Sequence, residues 1–208
     1  MGQFFKGNQI LGRKGTIGCV SLEITQRCNL DCSLCYLSES SALVTDMPIE
    51  ELYRRLDEII NVYGPGTNVQ ISGGDPTLRD KEELLAIVSY ARKIGLHPAL
   101  FTNGKKCSRE LLEELSEAGL SDVAFHVDLT QNLKGYETEV DLNDLRSELI
   151  ERARGLPLLV IFNTTVHESN FKEIPAVVEF FIKNSDVVGM ASFQLQADTG
   201  RGLLHQRP

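Results

Sequence analysis

Thr25-Gln26-Arg27-Cys28-Asn29-Leu30-Asp31-Cys32-Ser33-Leu34-Cys35-Tyr36 sets three cysteines at CxxxCxxC spacing, directly after the apolar run Cys19–Thr25. Three thiolates lie close together with no local fourth. Soft sulfur ligands suit iron–sulfur clusters, and a [4Fe–4S] cube ordinarily takes four protein thiolates. With three, one iron keeps a position open to a small molecule, which suits catalysis rather than simple electron carriage. The rival reading is a structural zinc site completed by a distant His or Cys. Zinc motifs usually come as two close pairs, whereas Cys19 and Cys107 stand alone. A chance grouping of buried, unligated cysteines is the weakest alternative, because three thiols fall within residues 28–35.

Five further apolar runs follow the first: Asn68–Ser72, His97–Thr102, Asp122–Leu129, Leu158–Thr165 and Val188–Leu195. Between them lie stretches of helical periodicity. Pro48 to Val62 puts Ile49, Leu52, Leu56, Ile59 and Ile60 on one face. Asp80, three residues before Glu83, opens the second like a capping box. The third runs from Ser108 to Gly119, the fourth from Leu142 to Arg154, and the fifth from near Asn170 through Phe181. Repeated strand–helix alternation predicts a parallel α/β sheet. Alternation alone leaves a doubly wound sheet, a complete barrel and a partial barrel open.

Polar and Gly-rich segments follow the first three strands, where β/α folds build their sites. The second strand ends in Ser72-Gly73-Gly74-Asp75-Pro76-Thr77 and the third in Phe101-Thr102-Asn103-Gly104. Paired glycines let a ligand approach the backbone closely, and Pro76 stiffens the turn. Taken singly, either segment reads as an ordinary turn. The 208 residues suit one sizeable core, divided into a lead-in over 1–18 and a core domain over 19–208. A net charge of −8 argues against a general nucleic-acid surface. An odd cysteine count, no hydrophobic leader and no long apolar run predict a reduced, cytoplasmic location without a membrane span.

The three segments, in this order, resemble the radical S-adenosylmethionine (SAM) enzymes over nearly the whole chain, from about Gly18 to Arg201. The resemblance implies a partial (β/α)6 TIM-like barrel, open on one side, with cluster and SAM at the C-terminal ends of the strands. It implies that Cys28, Cys32 and Cys35 hold a [4Fe–4S] cluster, whose fourth iron is chelated by the amino and carboxylate groups of SAM. Gly73, Gly74 and Asp75, with Pro76, would line the methionine amino group. Thr102 and Asn103 would lie near the ribose or methionine carboxylate. Asp128 matches the acidic position of Ser-x-Asp-Gly-like segments on strand four. Asn163, Thr164 and Thr165 on strand five, and Gln194 and Gln196 on strand six, would wall the pocket.

Three positions depart from the family pattern. Leu34 stands where an aromatic residue commonly precedes the third cysteine, leaving Tyr36 to supply aromatic contact. Asp75 replaces the commoner Glu, and Leu129 stands where a Gly often follows the strand-four Asp. Elsewhere, Cys19 reads as a small core residue, Cys107 as a loop or helix-start thiol and His126 as a satisfied structural histidine. His167 and His205 read as exposed, and Glu113-Glu114 and Glu137-Thr138-Glu139 as solvated surface.

The implied chemistry is reductive cleavage of SAM to a 5′-deoxyadenosyl radical that abstracts hydrogen from an organic substrate. The electron would come from a low-potential donor such as flavodoxin or ferredoxin. Gly189 to Gln196, leading to Thr199-Gly200-Arg201, looks like a subgroup containing tetraether-lipid synthases and pterin methylases. That subgroup points to a lipid chain or small cofactor precursor as substrate. Peptide-modifying maturases and a cofactor-biosynthesis cyclase share the same core. The family usually continues past strand six, so the chain reads as a C-terminally truncated fragment or as a minimal core closed by a partner. A non-catalytic iron–sulfur or zinc module is the alternative of another class.

Overall fold

The computed structural model describes residues 18–37 and 40–196. Most of the lead-in, together with His205, Thr199-Gly200-Arg201 and the rest of the chain's last residues, lies outside the described residues. Six strands, β1 (Val20–Thr25), β2 (Asn68–Gly73), β3 (His97–Thr102), β4 (Asp122–His126), β5 (Leu159–Val166) and β6 (Val188–Leu195), form one sheet in the order 1-2-3-4-5-6. Every neighbouring pair is parallel. Between them run α1 (Ile49–Tyr63), α2 (Lys81–Lys93), α3 (Arg109–Glu117), α4 (Asn143–Ala153) and α5 (Ile174–Lys183).

This order removes the ambiguity that periodicity leaves. A doubly wound sheet reverses its strand order at a switch point, because its helices cover both faces. Strictly sequential order with right-handed crossovers keeps all helices on one side, as in a barrel. Here β1 and β6 remain as the two edges, so the barrel is partial. The core sits on the helix-facing side. Leu22, Ile24, Val69, Ile71, Leu100, Val123, Phe125, Val160 and Phe162 of the strands join one buried cluster with Leu52, Leu56, Leu84, Ile87, Leu112, Leu149 and Phe181 of the helices.

Alternation turns the intervening residues to the concave face, which is strongly polar. Ser21 and Ser72 share a hydrogen bond of 2.6 Å there. Asn68 Nδ2 reaches across β3 to donate to Asp122 Oδ2 at 2.8 Å, over the small Ala99 that pairs with Asp122. A direct bond between strands two apart fits a sheet curled toward this face.

Several boundaries differ from the sequence expectation. The strand expected over Asp122–Leu129 stops at His126, because Asp128 caps a short 3-10 helix, Leu129–Gln131, with its side chain. The fifth helix starts at Ile174 rather than near Asn170, whose carboxamide oxygen accepts His167 N–H at 2.8 Å and holds a turn. Cys19 precedes β1 and is exposed, not a core residue. Cys107 is fully buried just before α3. Glu139 is buried rather than solvated, in an ion pair with Arg146, and His167 is half-buried rather than exposed. The capping start at Asp80 agrees with expectation: its carboxylate accepts Glu82 N–H at 3.0 Å and Glu83 N–H at 3.2 Å.

Candidate functional site

The cysteine loop leaves β1 at the C-terminal end of the sheet and is sewn to the loops after β2, β3 and β4. Gly74 N–H donates to Thr25 C=O at 2.9 Å, and Asp75 N–H to Arg27 C=O at 2.8 Å. Such backbone-to-backbone approach leaves no room for a side chain. A Cβ on Gly73 would lie 1.9 Å from the Thr25 oxygen, and one on Gly74 would lie 2.1 Å from the Arg27 oxygen. Gly73 also has φ +130°, a region that disfavours other residues. The double glycine is therefore what lets the second loop clamp the base of the first. Tyr36 Oη closes the loop's far side by donating to Gly73 C=O at 2.9 Å.

Asp75 is the buried hub between the second and third loops. Its Oδ1 accepts Thr77 N–H at 3.0 Å and Thr77 Oγ1–H at 2.5 Å. Its Oδ2 accepts Thr102 Oγ1–H at 2.8 Å and Asn103 N–H at 2.9 Å. With four donors on its carboxylate, Asp75 holds the two loops together; Thr102 is likewise buried. Pro76 is buried and starts the short 3-10 helix Pro76–Leu78, which Asp75 caps.

Asp128 repeats the arrangement at the fourth strand. Oδ1 accepts Thr130 N–H at 2.9 Å and Thr130 Oγ1–H at 2.5 Å, while Oδ2 accepts Thr165 N–H at 2.7 Å and lies 2.8 Å from His126 Nε2. Thr130 C=O in turn receives Ser33 N–H at 2.8 Å, seating the cysteine loop on this corner. Burial alone would push the Asp128 carboxyl up, but the His126 hydrogen bond and charge, with Thr130 and Thr165, hold it well below the usual carboxylate range. Its stabilising contribution is therefore present above about pH 4, the ordinary aspartate range, and is lost as pH falls through the depressed value. Asp128→Asn, lacking this contribution at every pH, should show a flatter fall in urea midpoint on acidification. An acid limb as steep as that of the unsubstituted protein would contradict this.

His126 is satisfied as a structural histidine, through Asp128, yet it is only partly buried. Its side chain is 38% exposed on the concave face, beside the buried Asn163 of β5. Gln194 on β6 is exposed at the open edge, as is Gln196 beyond it. Next to this edge a cleft of about 540 Å³ is lined by Val166, His167, Glu168, Phe171, Leu195 and Gln196. None of the cysteine-loop residues lines it.

The three cysteines are half-buried and unpaired as disulfides. Burial, then the neighbouring Cys35 and Cys28 thiols and the Asp128 carboxylate, push the Cys32 thiol up to about 12. Burial also raises Cys28, with backbone N–H groups of Leu30 and Asn29 acting the other way. Among the described residues no three His, Cys, Asp or Glu side chains already converge on a metal-sized cage. Donor chemistry and placement still fit a thiolate-bound cluster, since ligands close and lose protons as metal binds. Leu34 and Tyr36 are exposed beside the thiols, so the apolar rim of the loop is open.

Several contributors carried no sequence expectation: Arg79, Asp46, Asn29 and Ser33. Arg79 is buried and donates to Ile24 C=O at 2.5 Å and Met47 C=O at 2.8 Å, fixing the exit of β1. Asp46 accepts Thr25 Oγ1–H at 2.6 Å and pairs with Arg27. No helix among the described residues is long and apolar enough to cross a membrane.

The sequence profile of the Radical SAM superfamily matches residues 22–181. The 7,8-dihydro-6-hydroxymethylpterin dimethyltransferase of Methanocaldococcus jannaschii is 29% identical over 194 residues, 90% of this chain and 38% of that protein. The PqqA peptide cyclase of Bradyrhizobium diazoefficiens is 29% identical over 182 residues, 84% of this chain and 46% of that protein. The chain spans less than half the length of either curated relative. Among solved structures, Streptococcus suis SuiB bound to S-adenosylmethionine superposes with a TM-score of 0.64 at 16% identity, over 88% of this chain and 40% of that one. At that identity the likeness speaks to the fold.

Proposed function

Because this chain belongs to the radical SAM superfamily, whose members use a [4Fe–4S] cluster and SAM, we propose that it is the catalytic core of a radical SAM enzyme acting on a small organic substrate. When bound, cluster and SAM together supply the one-electron cleavage that gives methionine and a hydrogen-abstracting 5′-deoxyadenosyl radical. One observation carries the reading: the loop bearing Cys28, Cys32 and Cys35 is stitched at the barrel mouth to the loops after β2 and β4, through Thr25, Arg27 and Thr130.

Within it, Cys28, Cys32 and Cys35 bind the cluster through sulfur. The loop of Gly73, Gly74, Asp75 and Pro76 and the Thr102-Asn103 segment border the place of SAM. Asp75 acts there as the internal strut that keeps both segments in register. The polar concave face, with His126 and Asn163, receives the substrate, and the curled sheet limits solvent access to the reacting groups. Likeness to a pterin dimethyltransferase makes a reduced pterin the first substrate class to assay. The reducing electron would come from a low-potential donor such as a flavodoxin or ferredoxin. Likeness to a peptide cyclase supports a peptide as the second.

The test is anaerobic reconstitution with iron and sulfide, followed by metal analysis and equilibrium dialysis with SAM. About four irons per chain and one bound SAM are expected. Bound zinc without iron, or a cluster with no affinity for SAM, would overturn the proposal.

A further inference from the structure

Asn103 follows the last residue of β3 and is held at three points. Its backbone N–H donates to Asp75 Oδ2 at 2.9 Å, and its side-chain Oδ1 accepts Lys105 N–H at 2.9 Å. A backbone N–H can only donate, so this contact identifies the carboxamide oxygen and turns Nδ2 the other way. Nδ2 then faces the cysteine loop. It donates to Asn29 Oδ1 at 2.7 Å and lies 3.9 Å from Cys28 Sγ. Among the described residues, no other side chain donates to the sulfur of Cys28, Cys32 or Cys35.

We infer that Asn103 is a positioning residue for the Cys28 thiolate, donating a carboxamide N–H to its sulfur and so tuning the reduction potential of the cluster. The inference rests on Cys28 being a cluster ligand. Resemblance alone would set Asn103 beside the ribose or carboxylate of SAM, whereas the geometry directs its amide to the cysteine loop. Reduction adds negative charge to the cluster and its sulfurs. An N–H donor therefore stabilises the reduced state more than the oxidised one and raises the potential. The rigid seat matters as much as the donor, because Asp75 and Lys105 hold the amide in place before the cluster binds.

The experiment compares the reconstituted protein with Asn103→Ala by EPR-monitored potentiometry, and by ENDOR of the reduced cluster in H2O and D2O. Asn103→Ala should keep its iron load and cluster type. Its midpoint should move negative, by the equivalent of an about threefold to tenfold fall in the reduced-to-oxidised ratio at fixed potential. One exchangeable-proton coupling should vanish. Should Asn103→Ala fail to retain a cluster, Asn103→Ser, whose hydroxyl can still accept Lys105 N–H, carries the same comparison. An unchanged midpoint in the Asn103 variants would overturn the inference while leaving the cluster assignment standing. Failure of the unsubstituted protein to take up any cluster would remove the cluster assignment itself, and with it the inference.

Discussion

Cys32→Ala is expected to abolish iron–sulfur cluster uptake while leaving the fold in place. Cys32 lies in a loop, half-buried, outside the core shared by sheet and helices. Its loss removes no core packing, so the melting temperature of the metal-free protein should stay within a few degrees. The cluster has no such tolerance. A motif that supplies three thiolates in place of four has no spare ligand. Cys19 is exposed ahead of β1, and Cys107 is buried beneath the third loop. Neither belongs to the loop that would hold the metal. Burial and the neighbouring thiols push Cys32 up to about 12, so the free thiol keeps its proton near neutrality. Metal must displace that proton, and uptake by the unsubstituted protein should rise with pH. Iron content should fall from about four per chain to the level of a triple-alanine control. Retention of a full cluster by Cys32→Ala would refute the ligand assignment.

Arg146→Met should cost about 3–5 kcal/mol of stability, because it strands a buried carboxylate. Both side chains of the Arg146–Glu139 pair are fully shielded from solvent. Arg146 Nη1 also donates to Glu139 C=O at 2.8 Å and Asn143 Oδ1 at 2.9 Å, and Nη2 to Val127 C=O at 2.9 Å. Glu139 Oε2 accepts Asn170 Nδ2–H at 2.9 Å and Leu129 N–H at 3.2 Å. The guanidinium carbon stands 5.7 Å from the centre of the Phe181 ring. Methionine fills similar length but leaves the Glu139 charge without its cation. The damage reaches the site, since this network pins Val127 and Leu129 on either side of Asp128. Urea unfolding measures the loss, and Arg146→Met/Glu139→Gln should recover part of it by removing the stranded charge. A loss below about 1 kcal/mol would show that the pair is dispensable.

The sheet was legible in the sequence because both of its faces leave a pattern. Residues such as Val69 and Ile71 alternate with polar Gln70 and Ser72, and helix faces such as Leu52, Leu56 and Ile59 repeat at helical spacing. Strand order was not legible, since alternation is common to all singly and doubly wound sheets. The spacing of the cysteines stands in the sequence, but the contacts that seat their loop are long-range. Ser33 meets Thr130, and Arg27 meets Asp75, through backbone groups that carry no residue-specific signal.

One capping device is encoded locally. Asp75-Pro76-Thr77 and Asp128-Leu129-Thr130 share an Asp-x-Thr pattern, and in both the aspartate accepts the threonine N–H and hydroxyl and caps a 3-10 turn. Asp-x-Thr is a local capping signal, and it explains why β4 ends before Asp128. Glu139 carries no such local signal. Its neighbours Glu137 and Thr138 are polar, and its burial depends on Arg146 and Asn170, which the fold brings together from two other segments.

The decisive measurement is 5′-deoxyadenosine formation by the reconstituted protein, supplied anaerobically with SAM and dithionite. A radical SAM core should yield 5′-deoxyadenosine and methionine in equal amounts, with neither formed by Cys32→Ala. A protein that carries a complete [4Fe–4S] cluster, yet yields no 5′-deoxyadenosine above that control, would contradict the assignment of this site.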